Sequence, residues 1–340
     1  MRVTQLDIAK YAKVSQATVS RVLSGDDRVE PAIRGRVLDV IRLHNYQPDV
    51  RARSLRLRRT GLIGLVLKRP QGGLSDDPFF AALTAGIMDF LCGKPYHLCV
   101  DVVTDDASQE GIYDEMLRTR RVDGLILVEP EASDERISLL QRDKFPFVLI
   151  GNPKNDSIYS VDNDNVHAGE LATRHLIECG YRRIAFLGGP EHITVSDDRI
   201  QGYRRAVEAE QLEPIIRHSK FGFEPARYSA VDLLATKRPD AIVVLDDFMA
   251  CGVVLAARQL NYRVPEQLGL VAFNDTSLCN LLDVGLTSVS LGIERIVQAA
   301  VCMLLQVIED GEVSVGDIRQ IVPCELMVRG SSRPAEVVSR

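Results

Sequence analysis

The sequence predicts a small all-α head followed by an α/β body of two doubly wound, parallel-sheet lobes, and three observations carry that reading. Residues 1–46 hold three short helical patterns with no strand-like run between them. From Thr60 onward, apolar β-branched runs alternate with amphipathic stretches, the pattern of parallel sheets covered on both faces. Finally, 340 residues exceed what one ordinary core occupies.

In the head, Thr4 followed by Asp7 forms a capping-box-like start for a helix carrying Leu6, Ile8, Ala9 and Ala12. Lys13 and Val14 make a turn. Ser15 then caps a second helix, residues 16–23, whose Val19, Val22 and Leu23 share one face while Gln16, Ala17, Ser20 and Arg21 lie on or beside the other. Gly25 ends it. Pro31, a favoured first helical residue, opens a third helix in which Ile33, Val37, Val40, Ile41 and His44 recur at helical spacing. Tyr46, Gln47 and Pro48 stop that helix, so the three segments close a miniature core.

Residues 50–59, VRARSLRLRR, hold five arginines with Leu55 and Leu57 between them and make no core of their own. Beyond them the strand candidates are TGLIGLVL, HLCVDVV, GLILVE, FPFVLIG, RIAFLGG, AIVVLDD and LGLVAF, separated by helical stretches such as FFAALTAGIMDFL, GELATRHLIEC and SAVDLLATK. The expected domains are 1–47 for the head, 48–59 for the basic hinge and 60–340 for the body. Within the body, the first lobe takes about 60–160 plus a late crossover segment, and the second about 161–290 plus a C-terminal segment.

Charge is divided in the same way. The net charge is −6, but residues 1–60 carry 13 Lys+Arg against 6 Asp+Glu, leaving an acidic body. This asymmetry points to a nucleic acid partner for the head and discourages the body from lying along phosphates. No run of eighteen uncharged apolar residues and no basic-then-apolar leader is present, which argues against a membrane span or export and for a cytoplasmic location. Seven cysteines, spread through apolar stretches without a Cys-x-x-Cys pair, read as small buried hydrophobes and not as disulfides or zinc ligands.

The run from Leu6 to Gly64 combines DIA, VS-x-x-TVSRVL, V-x-P-x-x-R-x-RV, Y-x-P, ARSL and T-x-x-IG. In that order and spacing it resembles the start of the lactose-repressor (LacI/GalR) family of bacterial transcription regulators. DPFF, RIAFLGG, PDAIVVLDD, VPEQLGLVAFND, LTSV and ELMVRGSS extend the likeness through the body. The resemblance implies a helix-turn-helix head, a hinge that folds on DNA, and a periplasmic-binding-protein-like body with a ligand between its lobes. It also implies a homodimer, alone or paired into a tetramer, on a pseudo-palindromic double-stranded operator. One position departs from the pattern: Lys13 stands where the family usually has glycine in the turn, and a left-handed backbone there costs around 1 kcal/mol.

Physical chemistry assigns roles within the head. Arg21 can fork onto guanine, Gln16 can pair with adenine, and Ala17 offers apolar contact to a thymine methyl. Thr4, Ser15, Thr18 and Ser20 are expected on phosphates, where they position without specifying. In the hinge the resemblance implies a short helix with Leu55 wedged into the minor groove, Ala52 permitting close approach and Arg53 attracting phosphate; the alternative is a flexible basic linker.

For the body, the resemblance places Phe79 and Phe80, Arg199, Phe223, Asp246, Asn274 and Asp275 at the ligand, with one of the two phenylalanines expected to be helix-start core. Charged and amide groups suit the directed hydrogen bonds of a polyol, and an aromatic face covers its C–H side. The reading is therefore a repressor controlled by a sugar or sugar derivative, without a metal or other cofactor and without catalysis. A purine- or nucleoside-responsive regulator is the alternative within the class. A solute-binding protein or an enzyme with an appended head are the alternatives outside it. Gly188-Gly189 lacks the rest of a nucleotide-binding loop, and His167, Glu170 and His175 miss a regular metal spacing, so both are expected to be ordinary structure.

Overall fold

The computed structural model describes residues 3–23, 25–46, 59–68, 77–311 and 318–332. By contact the chain separates into two compact units, Met1–Thr60 and Gly61–Arg340. The hinge with Ala52, Arg53 and Leu55 lies outside the described residues.

In the first unit, helices α1 (Gln5–Ala12), α2 (Gln16–Leu23) and α3 (Pro31–Leu43) surround Ile8, Ala12, Val19, Val22 and Val37, all buried. The capping box is formed: the Thr4 hydroxyl accepts from the Asp7 amide at 3.3 Å, and Asp7 Oδ2 accepts from the Thr4 amide at 3.0 Å. Lys13 ends α1 in the left-handed conformation, φ 53° and ψ 49°. The turn thus keeps the geometry that glycine would adopt freely, at the conformational cost anticipated for lysine. Ser15 Oγ accepts from the Thr18 amide at 3.1 Å and starts α2.

The second unit is built on two six-stranded sheets. The first joins β1 (Leu62–Lys68), β2 (His97–Val103), β3 (Gly124–Val128), β4 (Phe147–Ile150), β5 (Ser160–Asn163) and β11 (Arg319–Val322) in the order β11-β5-β4-β3-β1-β2, every pair parallel. Alternate side chains of its central strands enter opposite faces. Leu65 and Ile126 pack with α4 (Pro78–Leu91) and α11 (Ile293–Asp310), while Val66 and Leu125 pack with α5 (Asp106–Thr119) and α6 (Glu135–Arg142).

The second sheet joins β6 (Ile184–Gly188), β7 (Ile215–His218), β8 (Ala241–Val244), β9 (Gly269–Phe273), β10 (Thr287–Ser290) and β12 (Glu325–Met327) in the order β12-β10-β9-β8-β6-β7, parallel except at β12. Its core is closed by α7 (Asn165–Glu178), α8 (Thr194–Ala209), α9 (Phe223–Lys237) and α10 (Asp247–Gln259). Both doubly wound lobes expected from the alternation are therefore present.

The chain passes between the lobes three times: after β5, after β10 and after β11. One side chain ties these passages together. Asn163 Nδ2, buried, donates to the Leu291 carbonyl at 3.0 Å and to the Val322 carbonyl at 2.8 Å. A buried amide must find partners, and here its partners belong to the other two crossings.

One sequence reading needs correction. All seven cysteines are free, yet Cys92 and Cys302 are exposed and Cys279 alone is fully buried. Apolar neighbours in sequence mark a helix near the core without deciding which way each side chain turns. No helix among the described residues is long and apolar enough to cross a membrane.

Candidate functional site

On the head, α2 turns Gln16, Ala17 and Arg21 outward, each exposed, while Val19 and Val22 hold the helix on the core. This face is free of core packing and carries the three residues assigned to base edges. Of the residues assigned to phosphate, Thr4 is already engaged, since its hydroxyl lies 2.6 Å from Asp7 Oδ2 within the capping box. Ser15 and Thr18 join hydroxyl to hydroxyl at 2.8 Å, so one proton of the pair is committed between them. Ser20 is half-buried beside them. At the far side, Tyr11 and His44 stack with ring centroids 4.4 Å apart.

In the body, a cleft lies between the lobes at the carboxyl ends of their strands. The chain brings each wall there by a strand end. Asp77, Phe79 and Phe80 come from the start of α4 beyond β1, and Glu129 follows β3. Asp162 and Asn163 end β5. Asp246 follows β8, and Asn274 follows β9. Glu129 and Asn274 adopt positive φ, 50° and 94°, conformations that non-glycine residues hold only when their surroundings fix them.

Arg199 is the centre of the floor. It is 3 % exposed, donates Nε to Asn165 Oδ1 at 2.9 Å and Nη1 to the Leu245 carbonyl at 2.7 Å, and lies 4.2 Å over the Phe273 ring. Neither bond goes to a carboxylate. Burial lowers its pKa to about 10, against the opposing pull of Asp162 and Asp246. Burial likewise raises Asp162 to about 7 and Asp246 to about 7, with the Arg199 charge acting the other way. Asp246 Oδ1 caps α10 by accepting the Met249 amide at 2.6 Å.

Glycines let the helices seat that arginine. A Cβ on Gly169 of α7 would fall 2.1 Å from the Arg199 carbonyl oxygen, and one on Gly202 of α8 would fall 1.9 Å from the Val166 carbonyl oxygen. The two helix backbones thus touch at the level of Arg199. At the cleft mouth the lobes join directly. The Thr194 amide donates to the Pro130 carbonyl at 3.0 Å, the Ala132 amide to the His192 carbonyl at 2.9 Å, and Asn152 Nδ2 to Asp198 Oδ2 at 2.8 Å, with Lys154 paired to the same carboxylate.

Of the residues expected at the ligand, Phe79, Phe80, Arg199, Asp246 and Asn274 line the cleft. Phe80 is also core at 1 % exposure, as anticipated for one of the two. Phe223 does not line it: this residue opens α9 and packs against Phe248, with centroids 6.1 Å apart. Phe221 supplies the aromatic wall instead, because Gly222 at φ 110° turns the chain between them. Gly189 leaves room for it, since a Cβ there would meet Phe221 at 3.2 Å. Asp275 points away into an ion pair with Arg329 at 2.8 Å.

Sequence reasoning missed Asp162, Asn163 and Asn165. Their signal was the polar run VDNDN between two apolar stretches, where Asp164 caps α7 by accepting the His167 amide at 2.9 Å. Elsewhere on α7, Glu170 pairs with Arg174 and His175 Nε2 meets Ser332 Oγ at 2.7 Å.

Comparison with known proteins adds the following. Residues 4–49 match the model for bacterial regulatory proteins, lacI family, and residues 173–332 match a periplasmic binding protein-like domain. Catabolite control protein A of Staphylococcus epidermidis is 30% identical over 336 residues, covering 98% of this chain and 100% of that protein. The ribose operon repressor of Halalkalibacterium halodurans is 31% identical over 334 residues, covering 97% of each. Among solved structures, a complex of the transcriptional regulator CelR with cellobiose superposes with a TM-score of 0.75 at 28% identity, over 97% of this chain and 100% of that one.

Proposed function

The chain belongs to the lacI family of bacterial regulatory proteins, and from that membership we propose that it is a sequence-specific DNA-binding transcription repressor. In this reading its affinity for a pseudo-palindromic operator is set by a small sugar-like ligand held between the lobes of the body. The observation that carries the proposal is the pairing, in one chain, of an outward Gln16–Ala17–Arg21 face with a cleft floored by a buried, oriented arginine. Catalysis and transport require neither the head nor its projecting helix. The solved CelR complex holds cellobiose, and a ribose operon repressor is among the relatives, which supports a sugar or sugar derivative here.

Two copies are needed to read two half-sites. Edge strand β2 exposes Val100 and Val102 on one face, and Tyr228, Leu255 and Leu281 stand exposed on the second lobe. Exposed apolar residues on an edge strand favour self-association. Phe79 and Phe80 meet edge to face at 5.2 Å and form one aromatic wall, with Phe221 a further aromatic of the cleft, so a nucleobase effector stands as the second reading.

Mobility-shift and footprinting assays on the intergenic DNA beside the protein's own gene test the reading. Arg21→Ala is expected to reduce the ratio of specific to nonspecific affinity roughly 10- to 100-fold, the range for one bidentate base contact. An unchanged ratio removes Arg21 from base readout.

A further inference from the structure

The walls of the cleft differ in charge as well as shape. Among the described residues that line it, Arg199 is the one cation, and Asp162 and Asp246 both act on it electrostatically from the same cavity. Neither forms a direct bond to its guanidinium, whose hydrogen bonds go to Asn165 and Leu245. Asp246 offers one oxygen to the Met249 amide, and among the described residues nothing donates to the other. Asp162, 6 % exposed, accepts from Asn165 Nδ2 at 2.9 Å. Asp247, outside the cleft lining, accepts the Thr276 amide at 2.7 Å and adds its charge to those acting on Arg199. One buried arginine therefore faces the buried Asp162 carboxyl and the half-buried Asp246 carboxyl inside walls of Phe79, Phe221, Leu291 and Ile296.

From this arrangement we infer that the cleft selects an uncharged or amine-bearing polyol and rejects its phosphorylated or carboxylated forms. This rests on the cleft being the effector site. Asp246 and Asp162 are acceptors that reward hydroxyl or ammonium donors, and Arg199 has two of its donors fixed by the protein. An anion placed here meets the carboxyl groups of Asp77, Glu129, Asp162 and Asp246, of which Asp162 and Asp246 are held near 7 by burial and ionise fully only above neutral pH, with Arg199 the one cation among the described lining residues. An ammonium group meets the reverse situation and leaves the floor closer to neutral. The acidic lining thus acts as a charge filter on ligands of otherwise similar shape.

Isothermal titration of the full-length protein tests the inference with glucose, ribose and cellobiose, with glucosamine, and with glucose 6-phosphate and ribose 5-phosphate. The expected result is binding of at least one neutral or amino sugar, with its matched phosphate about a hundredfold weaker or more. Asp246→Asn keeps a side-chain oxygen to cap α10, and Asp162→Asn keeps one for Asn165; each is expected to shrink that ratio about tenfold. Circular dichroism confirms that both variants fold. Tighter or equal binding of a phosphorylated sugar overturns the inference and leaves the sugar-sensing reading intact, as does a ratio that neither variant moves. If no sugar of any charge binds or alters operator binding, the sugar-sensing reading falls and this inference falls with it.

Discussion

Replacing Gly169 by alanine probes the seat of Arg199 without touching the cleft itself. The added Cβ would lie 2.1 Å from the Arg199 carbonyl oxygen, whereas ordinary contact begins near 3.4 Å. The two helices must separate by roughly the difference, and both partners are backbone, so no side-chain rotation relieves the clash. Overpacking of this kind costs about 3 kcal/mol, at the upper end of the usual range. Alanine returns about 1 kcal/mol through its better helix propensity, leaving a net loss near 2 kcal/mol. For a body of this size, Gly61–Arg340, the melting temperature falls by roughly 3–4 °C. A matched control separates propensity from packing. Gly111, also within a helix, has nothing within 4 Å of its Cβ position, so Gly111→Ala is expected to stabilise by about 0.5–1 kcal/mol. Differential scanning calorimetry reads both variants, and titration with a bound sugar reads the displacement of Arg199 as weaker binding by Gly169→Ala. A Gly169→Ala protein as stable as the parent, with unaltered ligand affinity, would refute the claim that the α7–α8 contact positions the arginine.

Two further outcomes follow from the geometry. Thr4→Val removes the hydroxyl at the heart of the capping box and is expected to destabilise the head by about 1 kcal/mol, read as loss of helicity on heating the full-length chain and as weaker DNA binding with no change in base preference. The body should lose stability as pH rises through about 7. Asp162 and Asp246 have folded values near 7, above an unfolded value of 3.8, so the folded state holds more protons between these limits and ionisation at higher pH opposes folding. Thermal melts of the ligand-free protein from pH 5 to 8 should show this decline, and Asp162→Asn should flatten it; a melting temperature that rises over that range contradicts it.

Local rules made the head legible. Capping chemistry, helical spacing and the left-handed position at Lys13 are properties of near neighbours, and the structure places all three where the sequence does. In the body, continuous apolar strands such as GLILV and AIVVL announced themselves, but β5, SVDN, and β7, IIRH, did not. These are four residues long and partly polar, and their burial comes from partners distant in sequence. The cleft divided similarly. Arg199 and Asp246 stood out by motif, whereas the choice between Phe221 and Phe223 depended on the backbone turn at Gly222. Asn163 was invisible because its partners, Leu291 and Val322, lie 128 and 159 residues away.

The threefold crossing tied by Asn163 also bears on how the protein comes into being. The first sheet lacks its edge strand β11 and its covering helix α11 until residues 293–322 have left the ribosome, long after the rest of that sheet has been synthesised. Neither lobe corresponds to one uninterrupted stretch of gene, so neither can be transplanted as a simple cassette. An exchange of sensing specificity between such proteins must therefore carry the whole body from Gly61 onward, or alter the cleft residue by residue.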